Sequence, residues 1–206
     1  MTGNRCCLRL CVAVLIGVLC VTTALVGPAR TAGGAAAEKA TYKVDPIHSS
    51  IIFKVLHMGA SHVWGRFNAF SGSAVIDEAN PSASSLEFEI KTDSVDTGNA
   101  MRDGHLKKPD FFNASQFPTI LFKAKNVKKS GEGAYEASGD LTLHGVTKPL
   151  TLKLERVGTG KGPRGGEVTG FDSSFAIKRS DYGMNFMIGP VSDEIGLTVS
   201  VECAKS

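Results

Sequence analysis

Apolar and polar residues alternate with a period of two along most of the chain from Thr41 onward. Ile51, Phe53 and Val55 alternate with Ser50, Ile52 and Lys54, and Leu86, Phe88 and Ile90 alternate with Glu87, Glu89 and Lys91. The phase returns in Ile120-Phe122-Ala124, Tyr135-Ala137-Gly139-Leu141-Leu143, Leu150-Leu152-Leu154, Phe171-Ser173-Phe175-Ile177 and Ile195-Leu197-Val199-Val201. Each run reads as a strand with one buried face, because successive side chains of an extended chain point to opposite sides. Turn-forming clusters separate the runs: Asn80-Pro81, Ser130-Gly131-Glu132-Gly133, His144-Gly145 and residues 158–166. With one or two further strands over Val63 to Asp77, eight or nine are expected.

The stretch from Asn99 to Lys108 lacks alternation. It predicts a short helix ending near Lys108, since the residue before a proline (here Pro109) avoids the helical region. The connection 92–118 then crosses one end of the sheet. Many antiparallel strands with one long crossover indicate an all-β closed barrel or sandwich. On the candidate inward faces, Phe53, Phe67, Phe88, Phe122 and Phe175 are mixed with Gly65, Gly139 and Gly170. Strand glycines mark either curvature or close approach by a ligand, and the pattern leaves both open. An eight-stranded barrel is either filled by side chains or holds one small ligand.

Composition changes this picture at the N-terminus. Arg5 and Arg9 precede 17 uncharged residues, Leu10 to Val26, then Gly27-Pro28 and a small-residue stretch ending Ala35-Ala36-Ala37. Residues 1–37 read as an export signal with a flexible lead-in, and 38–206 as the single barrel domain. The expected location is periplasmic or secreted, with an uncleaved anchor as the alternative reading. Of five cysteines only Cys203 lies outside the leader, so the body has no internal disulfide. Lys and Arg number 23 against 20 Asp and Glu, and Arg5, Arg9 and Arg30 have no acid beside them in the leader. The body is therefore neutral, which argues against nucleic acid as a partner.

Several residues invite chemistry. Arg102 and His105, beside Asp103, suit hydrogen bonding to a polar head group at the barrel mouth, or a salt-bridged cap that fixes the crossover. Arg179 and Asp181 invite the same two readings. His48 and Ser49 are neighbours on a strand and point apart, and no G-x-S-x-G elbow supports a nucleophile, so His48 reads as structural. His57, Met58 and His62 form a metal candidate suited to copper, the basis of a rival reading as a redox accessory or enzyme. Cys203 reads as a small buried or rim side chain. The glycine-rich Gly158 to Gly162 lacks phosphate-loop spacing and reads as a hairpin tip.

Six ordered segments carry a family resemblance: Asp45, His48, Ser49, Phe53 and His57; Gly65, Phe67, Phe70 and Gly72; Arg102, Asp103, His105, Leu106 and Phe112; Phe117, Pro118, Ile120 and Phe122; Gly139 to Lys148; and Arg179, Asp181, Tyr182 and Gly183. In this order the chain, from Thr41 to Cys203, resembles the YceI-like family. The resemblance implies an extended lipocalin-like antiparallel β-barrel of about eight strands with one short helical crossover. It also implies a bacterial periplasmic binding or carrier protein, not an enzyme, that sequesters a polyisoprenoid or isoprenoid quinone and needs no other cofactor. The expected wall is Phe53, Val55, Phe67, Phe88, Phe122, Leu141, Phe175 and Ile177, with Arg102 and His105 toward the head group. The expected partner is the long-chain isoprenoid lipid itself; transient membrane contact and a homodimer are left open, as is a filled-barrel interaction module.

Overall fold

The structure, a computed structural model, describes residues 39–77, 79–163 and 165–206; the leader lies outside the described residues. Ten strand segments succeed one another: β1 (Ala40–His57), β2 (Ser61–Phe67), β3 (Phe70–Ile76), β4 (Ser85–Lys91), β5 (Val95–Asp96), β6 (Thr119–Gly131), β7 (Ala134–Leu143), β8 (Val146–Lys161), β9 (Glu167–Lys178) and β10 (Val191–Lys205). They fill eight positions of a closed antiparallel barrel. β2 and β3 are halves of one broken strand, both paired with the 18-residue β1. β4 and β5 are likewise halves, paired with β3 and β2 in turn. β10 pairs with β9 on one side and β1 on the other, which closes the barrel. The alternation thus marks the strands correctly, and the count exceeds nine only where a strand is interrupted, as at Asn68-Ala69.

The inward phase is mainly the apolar phase. Ile51, Phe122, Val127, Ala137, Leu141 and Leu143 are buried in one continuous core. Deleting a large side chain such as Phe122 from it costs about 3–5 kcal/mol. At two of the three inward glycines the protein itself takes up the space. Gly65 faces Phe53 across the β1–β2 pair, and a Cβ on it would lie 2.3 Å from the Phe53 ring. A Cβ on Gly139 would lie 2.1 Å from the Lys123 carbonyl, next to the bulge between Ala124 and Asn126. These glycines accommodate a ring and a bend.

One end of the barrel is roofed. Helix α1 (Ala100–Leu106) starts at Asn99, whose side chain accepts the Arg102 backbone N–H at 3.0 Å. It ends two residues short of Lys108, where the Lys108 N–H turns to the His105 carbonyl at 3.0 Å. Buried Thr92 ties the crossover down, donating its hydroxyl to the Phe117 carbonyl at 2.8 Å and its N–H to that of Pro118 at 3.0 Å. The loop 183–190, between a 3-10 turn (Arg179–Tyr182) and β10, completes this end. The first and last described residues and the β6–β7 and β8–β9 hairpins occupy the other. Among the described residues, no helix is long and apolar enough to cross a membrane.

Candidate functional site

Strand parity aims one side chain in two at the barrel axis, and the inner face is not filled. It encloses a cavity of about 480 Å³, within the range of small-molecule sites. Phe53, Val55, Phe67, Phe88, Phe122, Leu141, Phe175 and Ile177 all line it. Leu106, Phe111, Phe112 and Met184 form its ceiling under the roof. Ring packing links wall to ceiling: Phe53 to Phe67 and Phe67 to Phe112 both have centroids 5.6 Å apart. Such a surface favours an apolar guest, each buried methylene contributing about 0.8 kcal/mol.

Arg102 and His105 stand apart from this wall. Arg102 donates Nε to the Thr97 hydroxyl at 2.7 Å and Nη2 to the Thr97 carbonyl at 2.8 Å. Asp103 accepts the Thr97 N–H and hydroxyl at 2.8 and 2.5 Å. His105 pairs with Asp110 at 3.0 Å, its ring edge-on to Phe111 and Phe186. This is the geometry of a fixed crossover. The cationic side chains that do border the cavity are Arg156, Arg179 and Lys205.

Arg179 is 3% exposed, and burial lowers its pKa from the ordinary value while nearby Asp193 opposes the shift. Its guanidinium donates to four backbone carbonyls: Ser192 at 3.0 Å, Met184 at 2.8 Å, Phe186 at 2.7 Å and Val191 at 3.0 Å. The planar fork of donors holds the whole loop over the cavity. Asp181 pairs instead with Lys148 at 3.5 Å. Asp193 accepts the Ser180 N–H and hydroxyl at 2.9 and 2.7 Å, and these bonds hold its carboxyl below the usual range.

At the far end Arg156 donates to the hydroxyl of buried Tyr135, its guanidinium carbon 5.5 Å from that ring's centroid. Ser173 lies deeper, buried on the cavity wall, and its hydroxyl has no hydrogen-bond partner among the described residues. An unpaired buried hydroxyl costs about 1–3 kcal/mol. Arg156 and Ser173 continue the inward phases of Leu150-Leu152-Leu154 and Phe171-Phe175, so alternation carried the signal for both. Cys203 also lines the cavity, and burial pushes its thiol up to about 11, which leaves it unreactive.

The histidine candidates separate. Register places His62 opposite Leu56 and His57 opposite Ser61, so the two imidazoles project from opposite faces of the hairpin. His48 hydrogen-bonds Asp45 at 2.9 Å on the outer surface, which raises its pKa and lowers that of Asp45. Ser49 donates to the Asp45 carbonyl at 2.6 Å and accepts the Glu202 N–H at 3.0 Å, stabilising the bulge in β1.

Residues 42–203 match the model of the YceI-like domain family. A UPF0312 protein of Pseudomonas aeruginosa is 46% identical over 174 residues, spanning 84% of this chain and 90% of its own. The crystal structure of a Campylobacter jejuni YCEI protein superposes with a TM-score of 0.63 at 36% identity, covering 73% of this chain and 90% of that one. A polyisoprenoid binding domain from Saccharophagus degradans, implicated in plant cell wall breakdown, shares the fold at 16% identity, TM-score 0.61, covering 80% of this chain and 98% of its own.

Proposed function

Since this chain belongs to the YceI-like family, we propose that it is a binding and carrier protein for a long-chain isoprenoid lipid, a polyisoprenoid or an isoprenoid quinone, working in the periplasm or outside the cell. The apolar cavity, closed around its sides by strands and lined by eight phenylalanines and many aliphatic side chains, carries this reading. The neighbour of the same fold described as polyisoprenoid binding supports it. Binding is burial, reversible and without bond chemistry. A bound amphiphile keeps its apolar length against Phe53, Phe88, Phe122 and Phe175.

The unpartnered Ser173 hydroxyl favours a guest that carries an oxygen at that depth, as a quinone does. The test is native mass spectrometry with organic extraction on exported protein from a host that makes its own isoprenoids. The expected result is a discrete adduct that extracts as a prenyl lipid or quinone. A bare mass with no uptake of added prenyl lipid rejects the carrier reading. For Ser173→Ala, quinone uptake falls about fivefold while uptake of an oxygen-free prenyl chain is unchanged, the equivalent of one neutral hydrogen bond; equal loss for both chains removes the hydroxyl from recognition.

A further inference from the structure

The outer surface is unevenly apolar in a way the cavity does not require. Nine large hydrophobic side chains are exposed among the described residues, and seven of them lie at the roofed end, Ile47 and Val157 being the others. Two tips dominate: the β1–β2 turn with Met58, and the loop with Phe186, Met187 and Ile188. They are tied together, the Met58 N–H donating to the Pro190 carbonyl at 2.6 Å.

Both methionines sit in left-handed backbone, with φ of 53° at Met58 and 52° at Met187. Glycine or asparagine is the less strained residue there. The core does not ask for methionine either, since Met58 is 65% and Met187 43% exposed. Backbone and core both leave unexplained why a flexible apolar side chain is held outward at each tip.

The same segments are apolar on their inner side. Phe111 and Met184 face the cavity, while Phe186 packs edge-on against Phe111 with centroids 5.4 Å apart. An apolar path therefore runs from the tips through the roof into the barrel. Around it stand groups suited to a membrane interface: Trp64 with the Lys54 ammonium 5.7 Å from its ring, and exposed Lys107 and Lys108 on the crossover. A stable protein partner needs about 800 Å² of matched surface on each side, whereas side chains on hairpin tips suit insertion into a fluid phase. The neutral charge of the body leaves insertion as the main driving term.

We propose that the roofed end is a docking face for a phospholipid bilayer, through which the cavity exchanges its lipid. The docking rests on the surface alone; the exchange rests on the carrier reading. Trp64 is the chain's single tryptophan and 55% exposed at this end, so it reports the contact directly.

The experiment mixes the exported protein, cargo-loaded or extracted, with vesicles of phosphatidylethanolamine and phosphatidylglycerol. Trp64 emission shifts to the blue and is quenched by lipids brominated near the head group. Met58→Gly with Met187→Gly removes both tips at positions whose φ suits glycine. It lowers vesicle partition about tenfold for each methionine lost, with thermal stability unchanged or raised. Ile47→Ser with Val157→Ser, away from this end, leaves partition unchanged. No partition by the wild type, equal partition by the double-glycine variant, or a sedimenting dimer that the double-glycine variant alone abolishes each overturns the proposal. Lipid content measured in parallel separates the two claims: vesicle binding without prenyl lipid leaves docking standing and the carrier reading fallen, and prenyl lipid without vesicle binding does the reverse.

Discussion

The barrel wall and its roof are built on different principles. The wall is made of strands that turn an apolar phase inward and change it only at bulges, as in β1 and β6, and its stability comes from area removed from water. The roof is made of turns and one short helix, holds all four non-glycine residues with positive φ among those described, and is fastened by directed polar bonds centred on Arg179. A hydrophobic container is thus specified by pattern alone along its sides. Its end needs individual donors and acceptors, because irregular backbone over an apolar space has no neighbouring strand to satisfy it.

The wall breaks most completely by charge. Phe88→Asp sets a carboxylate on the cavity face, and lipid recovered from the purified protein is expected to fall more than about tenfold. Unchanged lipid in a folded variant would remove Phe88 from the binding surface. The roof breaks at its clamp: Arg179→Met leaves four carbonyls without their donor and is expected to cost about 3 kcal/mol or more. The reading is the urea midpoint together with amide exchange over 184–192. Loss spread evenly over the barrel, with no excess at that loop, would show that Arg179 serves the core and not the roof.

Smaller effects sharpen the contrast. Gly65→Ala pushes a methyl into the Phe53 ring and is expected to cost about 1–3 kcal/mol; a neutral result in thermal melts would mean that the ring turns aside freely. The outer pair Asp45–His48 has the smallest effect and a pH signature. His48 is raised, so its contribution is full below its unfolded value of about 6.5 and is lost as pH rises through the folded value; Asp45 is lowered, so its own holds above about 3.9 and is lost in acid. The melting difference between wild type and His48→Ala is therefore expected to be larger near pH 5.5 than near pH 8.5. A difference independent of pH assigns the effect to packing.

The same division decides how much could be read in advance. Most wall residues sit in runs whose period is two, so their inward faces follow from the letters, whereas the phase changes at the bulges in β1 and β6, where Val44 gives way to Ile51 and Phe122 to Val127, depend on register. Gly65 was visible as a small residue among rings, although its partner, Phe53, depends on register. The roof was legible only in outline. Arg179 stands two residues from Asp181, the nearest acid in the chain, yet its acceptors are backbone carbonyls, which every residue carries and no letter marks. Arg102 and His105 read from sequence as polar groups at a mouth, but their bonds to Thr97 and Asp110 show how local hydrogen bonding in a crossover competes with a head-group role. The helix ended earlier than Pro109 alone implied because turns beginning at Lys107 take up the chain first.

Closure through β1 and β10 has a temporal consequence. Tyr42 pairs with Lys205, and the Ser206 N–H reaches the Thr41 carbonyl at 2.9 Å, so the first and last described strands are adjacent members of the barrel. A chain that has not yet emerged as far as β10 cannot complete the ring, since β1 then lacks its closing partner. Until then strand edges remain unpaired, and joining β1 to β10 is a long-range pairing of the kind that slows folding. Any guest enclosed by the sides of the barrel is retained only after that meeting.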